Sequence, residues 1–159
     1  MRRGGSAMIR SEKEIQDPGE IDAILQSAAV CRIAMCEGDR PYIVPVTFAV
    51  RNSRLYFHCA KSGKKIDMLK ANASVCFEVD IPGELVRGQT ACVWGMKYRS
   101  VIGFGQAYFI EKAGEKKKAL DLLMKKYSGK ESFVYADDAL DKVLVVGVRI
   151  EKMSGKTAR

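Results

Sequence analysis

The residues best suited to chemistry lie together in Leu55-Tyr56-Phe57-His58-Cys59-Ala60-Lys61-Ser62-Gly63-Lys64-Lys65-Ile66-Asp67-Met68-Leu69. The single histidine stands near the end of a strand-like run, and Ser62-Gly63-Lys64-Lys65 opens a helix-like one. Gly63 lets a backbone approach a ligand closely, and Ser62 can cap the helix. Free amides at a helix start, flanked by the Lys64 and Lys65 ammonium groups, form an anion site. The same residues read equally as a capped surface helix with two solvated lysines. Period-two alternation sends Leu55, Phe57 and Cys59 to one face of the strand and Tyr56, His58 and Ala60 to the other.

Other chemistry is thin. No serine nucleophile stands near His58 in sequence, so no Ser-His-Asp set emerges. Ser62-Gly63-Lys64-Lys65 lacks the glycine loop and final hydroxyl of a Walker A sequence. Gly103-Phe104-Gly105 is followed by no helix, which excludes a dinucleotide fingerprint. A second cluster, Trp94-Gly95-Met96-Lys97-Tyr98-Arg99-Ser100, offers Trp94 and Tyr98 to a planar ring and Arg99 or Ser100 to a phosphate. Trp94 reads equally as packing at a subunit interface.

These groups need a scaffold to position them. Asp17-Pro18-Gly19-Glu20 is a helix start, with Asp17 as N-cap and Pro18 in the first turn. Strands are expected over residues 30–36, 41–50, 54–59, 75–79, 99–111 and 142–151, joined early by the turns Glu37-Gly38-Asp39-Arg40 and Arg51-Asn52-Ser53. Pro45 requires an edge or a bulge, and Gly103 and Gly105 mark a bulge or a close approach. Helices are expected over residues 63–72 and 115–127, the second with Ala119, Leu120, Leu123, Met124 and Tyr127 inward and its lysines (Lys116, Lys117, Lys118, Lys125, Lys126) on one solvated face. The basic tail, residues 152–159, is expected to be loosely held. The fold class is mostly β: six to seven mainly antiparallel strands in a small barrel with flanking helices.

Bulk properties narrow the classes. The chain has 159 residues, 47% of them apolar, and suits one domain. No apolar run reaches the roughly 20 residues of a membrane helix. Residues 1–8 lack the apolar centre of a signal peptide, so residues 1–7 are expected to be a disordered extension, Met8 an alternative start, and the protein cytoplasmic. Five cysteines without a CxxC pair, and one histidine, argue against a zinc site and for structural thiols. The net charge of +8 fits nucleic-acid binding, but a bound phosphate plus solubility accounts for spread lysines as well.

Several segments carry a resemblance. They are Pro41-Tyr42-Ile43-Val44-Pro45-Val46-Thr47-Phe48, Leu55-Tyr56-Phe57-His58-Cys59-Ala60 with Gly63-Lys64-Lys65, Tyr98-Arg99-Ser100-Val101-Ile102-Gly103-Phe104-Gly105, Glu115-Lys116-Lys117-Lys118-Ala119-Leu120 and Ser154-Gly155-Lys156. In this order, over residues 8–156, the chain resembles the FMN-binding split-barrel family related to pyridoxamine 5'-phosphate oxidase, and within it the nitroimidazole-resistance (Nim-type) proteins. The resemblance implies a single split-barrel domain over 8–156 with a short tail at 157–159, and a homodimer with FMN at the subunit interface. It places Val44, Pro45, Val46 and Thr47 beside the isoalloxazine, and Phe57, His58 and Cys59 along the flavin. Ser62, Gly63, Lys64 and Lys65 would then lie at its phosphate, and Arg99, Ser100 and Val101 on the same site or its partner-subunit side. His58 is the implied catalytic residue, and it reads equally as a hydrogen-bonded strand residue that lines the pocket without transferring a proton.

The arginine and lysine that pyridoxamine phosphate oxidases carry on the strand matching Val44 to Thr47 are absent, so that reaction is not expected. The expected function is a flavin reductase passing electrons from a small donor, such as NAD(P)H, to a nitroaromatic or a quinone. Its rivals are a non-catalytic flavin- or haem-binding module and a basic nucleic-acid binder.

Overall fold

The computed structural model describes residues 11–158; the expectations for residues 1–8 lie outside them. The strands are β1 (Glu14–Ile15), β2 (Cys31–Glu37), β3 (Arg40–Val46), β4 (Ala49–Arg51), β5 (Arg54–Ala60), β6 (Ser74–Val86), β7 (Gly95–Ile110) and β8 (Val143–Ala158). The helices are α1 (Pro18–Ser27), α2 (Lys64–Ala71), α3 (Ala113–Ser128) and α4 (Asp137–Lys142).

All pairings are antiparallel, in the order β3-β2-β6-β7-β8-β5-β4, with β1 added to β8. The two ends of that path, β3 and β4, are joined by Thr47 and Phe48 alone. Two residues reach less than about 10 Å, so the sheet must curl until its edges meet. The result is a barrel split along a seam beside β3. Pro45 sits on this edge strand, where its missing N–H costs no ladder bond.

Local signals explain the elements. The Asp17 carboxylate accepts the Gly19 amide at 2.9 Å, and Pro18 occupies the first turn of α1. Asn52 and Ser53 both take positive φ, the backbone that a two-residue hairpin needs. Gly103 presses against the Phe77 ring, and β7 slips register against β8 between Phe104 and Gly105.

The interior cluster joins Ile33, Leu55, Phe57, Phe77, Val79 and Val101 from the strands, and Phe48 from the β3–β4 link, to Leu25 of α1 and Leu69 of α2. Each buried phenylalanine or leucine contributes about 1.5–3 kcal/mol. A second cluster lies outside the sheet, where Ala119, Leu120 and Leu123 of α3 cover Ala49, Ile110 and Val145.

The structure extends the sequence reading in three places. Among the described residues there are eight strands rather than six to seven. The run over residues 41–50 divides into β3 and β4, β1 is added, and β6 and β7 are longer at the hairpin they share. The tail expected to be loose continues β8, because Gly155 pairs with both Val101 and Ile15. The lysines of α3 do not form one solvated face. Lys116 is buried and donates to the Leu140 carbonyl at 2.7 Å. Lys126 is half-buried, donates to the Leu25 carbonyl at 2.8 Å and lies 3.3 Å over the Phe48 ring. Tyr127, expected inward, is exposed at its ring, yet its hydroxyl accepts the Phe48 amide and donates to Ala29.

Candidate functional site

The alternation along β5 divides its residues between two environments. Leu55 and Phe57 are fully buried in the barrel, and Cys59 packs against the same cluster. Tyr56 joins the outer cluster, while His58 is exposed on that same outward face, opposite Val145 of β8. The inward and outward sets therefore meet different partners.

Past Ala60 the chain turns into α2. Its N-cap is Gly63 at φ 119°, with no side chain capping the helix. Ser62 therefore does not take the capping role expected of it; it is exposed in the turn. The amides of Ile66 and Asp67 both reach the Gly63 carbonyl, at 2.8 and 3.2 Å. The Lys64 and Lys65 amides precede them in the helix and have no helical acceptor. A Cβ on Gly63 would meet nothing within 4 Å, so the approach to these amides is open.

The two lysine side chains rest on rings of two different strands, and only Lys64 reaches β3. The Lys64 ammonium lies 4.6 Å from the Tyr42 ring centroid on β3, and that of Lys65 lies 5.6 Å from the Phe57 ring on β5. Neither joins any ion pair among the described residues. Burial raises the Cys59 thiol, and the Lys65 charge draws it partly back. Cys31, in the core, is pushed up to about 12, chiefly by burial, and half-buried Cys76 on the outward face is also raised by burial, so both are protonated at neutral pH.

Edge strand β3 completes this region. Val44 packs on the core, Pro45 is exposed, Val46 is buried, and Thr47 is exposed just past the strand end. Because β3 pairs only with β2, its other edge keeps backbone groups free for a ligand. The structure thus brings Lys64 to Tyr42 of β3 and Lys65 to Phe57 and Cys59 of β5, with Val44 and Val46 in the same interior cluster, while Pro45 and Thr47 are exposed further along the edge and Gly63 opens α2. It adds Tyr42, which the sequence reading did not select; its signal was an aromatic residue directly after Pro41.

Arg99, Ser100 and Val101 lie elsewhere in this chain. Tyr42 and Met35 are paired, and Met35 stands next to Ala34, the partner of Cys76, which in turn faces Phe104. Arg99 is five residues along β7 from Phe104, roughly 17 Å away at strand rise. It is exposed beside Ile81, Pro82 and Thr157. Val101 is fully buried, and Ser100 sits on the outward face between Asp80 and Lys156. On that face Ile43, Met96, Ile102 and Phe104 are exposed. Trp94 donates to the Gly88 carbonyl at 2.8 Å, with its ring half-exposed.

Comparison with known proteins gives this geometry relatives. Residues 17–157 match the family model described as pyridoxamine 5'-phosphate oxidase. A structure from Bacteroides thetaiotaomicron, described as a candidate 5-nitroimidazole antibiotic resistance protein, is 34% identical with a TM-score of 0.81. That alignment covers 91% of this chain and 86% of the other. An FAD- and haem-binding protein from Mycobacterium smegmatis shares the fold at a TM-score of 0.83 and 19% identity, over 92% of this chain and 74% of that one. An uncharacterised protein from Rhizobium meliloti is 35% identical over 60 residues, 38% of this chain and 39% of that relative's length.

Proposed function

We propose, on the premise that the chain belongs to the pyridoxamine 5'-phosphate oxidase family, that it is an FMN-binding oxidoreductase acting on a small electron acceptor. The observation that carries this reading is the seam. Two lysine ammonium groups without ion-pair partners rest on aromatic rings, beside a helix start with free amides and an edge strand with free backbone groups.

The residues present fit a flavin monophosphate. Lys64 and Lys65 would neutralise its phosphate, with the two amides and the Ser62 hydroxyl supplying further donors. The backbone of Val44 to Thr47 would hydrogen-bond the polar edge of the ring system, and Pro45 would keep that edge from pairing with another strand. Phe57 and Cys59 exclude water from the barrel side. When bound, the flavin supplies electron transfer between a reduced donor, such as NAD(P)H, and a nitroaromatic or a quinone. His58 stands on the outward face of β5, so its implied catalytic role would be a hydrogen bond to an acceptor that reaches past the seam to that face. The absence of an arginine or lysine on Val44 to Thr47 argues against pyridoxamine phosphate as substrate.

We assign Arg99 and Ser100 to the partner-facing side of a homodimer. The support is the exposed apolar surface of Ile43, Met96, Ile102 and Phe104 on the sheet face that carries Ser100. Light scattering at micromolar protein should give twice the chain mass of 17.6 kDa; a monomer would remove this arrangement.

The decisive experiment is the absorption spectrum of purified protein, before and after adding FMN. Flavin bands that co-elute with the protein are expected. A Soret band would move the reading to haem, with exposed His58 as the ligand to test. A colourless protein that fails to retain added FMN would refute the proposal.

A further inference from the structure

The outward face of β5 leads to a second site. Arg54 on β5 and Arg149 on β8 are direct cross-strand partners. Like charges in that position repel unless something answers them. Among the described residues nothing does, since neither arginine joins an ion pair.

Both arginines line a cavity of about 430 Å³ between the sheet and α3, a size suited to a small molecule. Lys118 adds a third cation to its wall, while Ile110, Ala119 and Leu122 make an apolar side. The one carboxylate on the wall, Glu115, has Lys112 at 3.8 Å.

The floor is built for a flat contact. Gly147 of β8 is flanked by Tyr56 on β5 and Tyr108 on β7. A Cβ at Gly147 would strike the Tyr108 ring, so the glycine is what lets that phenol lie across the strand. Burial, then the neighbouring Tyr56 hydroxyl, raises the Tyr108 phenol, while Arg54 and Arg149 pull it down. Arg54, Arg149 and Tyr108 thus line one cavity wall, and both guanidinium charges are felt at the Tyr108 hydroxyl.

We propose that this cavity binds a small organic anion. Its phosphate or carboxylate would be held by Arg54, Arg149 and the Tyr108 hydroxyl, and its apolar body would lie against Tyr56, Ile110 and Leu122. Paired guanidinium forks suit the two-oxygen edge of either group. The site is separate from the seam, because Arg54 and Tyr56 leave β5 on the face opposite Phe57 and Cys59, and it does not depend on the flavin reading.

The test is calorimetric titration of the full chain with phenyl phosphate, benzoate and inorganic phosphate in separate arms. Saturable binding of phenyl phosphate or benzoate is expected, weakened about tenfold or more in Arg54→Gln/Arg149→Gln and unchanged in Lys64→Ala/Lys65→Ala. Stronger binding of phenyl phosphate selects phosphate esters, and stronger binding of benzoate selects carboxylates. The arginine variant should melt no lower than the parent, since a repulsion is removed, and should bind FMN as the parent does. Several results would overturn the proposal: no binding of either organic anion at millimolar concentration, inorganic phosphate binding as tightly as phenyl phosphate, or dependence on the lysines instead of the arginines.

Discussion

The two faces of β5 make a controlled comparison, since one strand of seven residues supplies both. Inward, Phe57 and Cys59 lie beside Lys65, while Lys64 rests on Tyr42 of edge strand β3. Outward, Arg54 and Tyr56 line a cavity whose arginines face each other across a ladder. Each region gathers cations without carboxylate partners, yet by different means. At the seam, a helix start and an unpaired strand edge add backbone donors. In the cavity, side chains supply all the charge and a glycine supplies the space. Part of a positive charge that looks diffuse in sequence thus gathers at two places of different chemistry.

The sharpest break of the comparison is at the seam. Lys64→Ala/Lys65→Ala should weaken FMN binding by about 3 kcal/mol or more, roughly a hundredfold, because charge-assisted contacts contribute about 1.5–3 each. Fluorescence titration measures this, and unchanged affinity would return the two lysines to the solvated surface. Gly147→Val acts on the other face. Forcing a side chain into the Tyr108 ring should cost about 2 kcal/mol of stability in urea unfolding; a variant as stable as the parent would show that the phenol can swing aside.

His58→Ala should retain FMN and lower turnover by about tenfold, the low end for a lost proton donor. Equal turnover would make the outward face of β5 irrelevant to the redox step.

The smallest effect concerns Lys126, whose pKa is lowered to about 8, mainly by burial. An ordinary lysine value applies in the unfolded chain, so the unfolded state binds more protons above pH 8, and Lys126 adds stability as pH rises from about 8 toward 10. Lys126→Met should flatten that rise relative to the parent. Parallel curves from denaturant melts at pH 7.5, 8.5 and 9.5 would indicate that Phe48 and the Leu25 carbonyl stabilise the ammonium enough to cancel the burial effect.

What was legible in the sequence was local. The Asp17 cap, the two early hairpins and the alternation along β5 each depend on neighbours a few residues away, and each could be read directly. The anion site at Lys64 and Lys65 was read from the residues themselves, and the family resemblance supplied the split barrel and the flavin. Registers between distant strands could not be read. That Arg54 meets Arg149, or that Gly147 lies between Tyr56 and Tyr108, follows only once β8 is threaded between β5 and β7. Lys116 and Lys126 misled for a related reason. Their charged ends find carbonyls on α4 and α1, which helical periodicity does not encode. Tyr42 was missed because its partner lies on the far side of the seam.

The position of β8 also fixes the order of events during synthesis. It is flanked by β5 and β7 and pairs with β1, and all three precede it in the chain. Before Val143–Ala158 emerges, β5 has only the three-residue β4 beside it, and β7 has one bare edge. A nascent chain at that stage exposes two strands rich in apolar residues, the state in which edges pair with the wrong neighbour. The barrel is therefore a structure that closes late, and substitutions that slow the arrival or pairing of β8 should appear as aggregation during expression before they appear as lost stability in the purified protein.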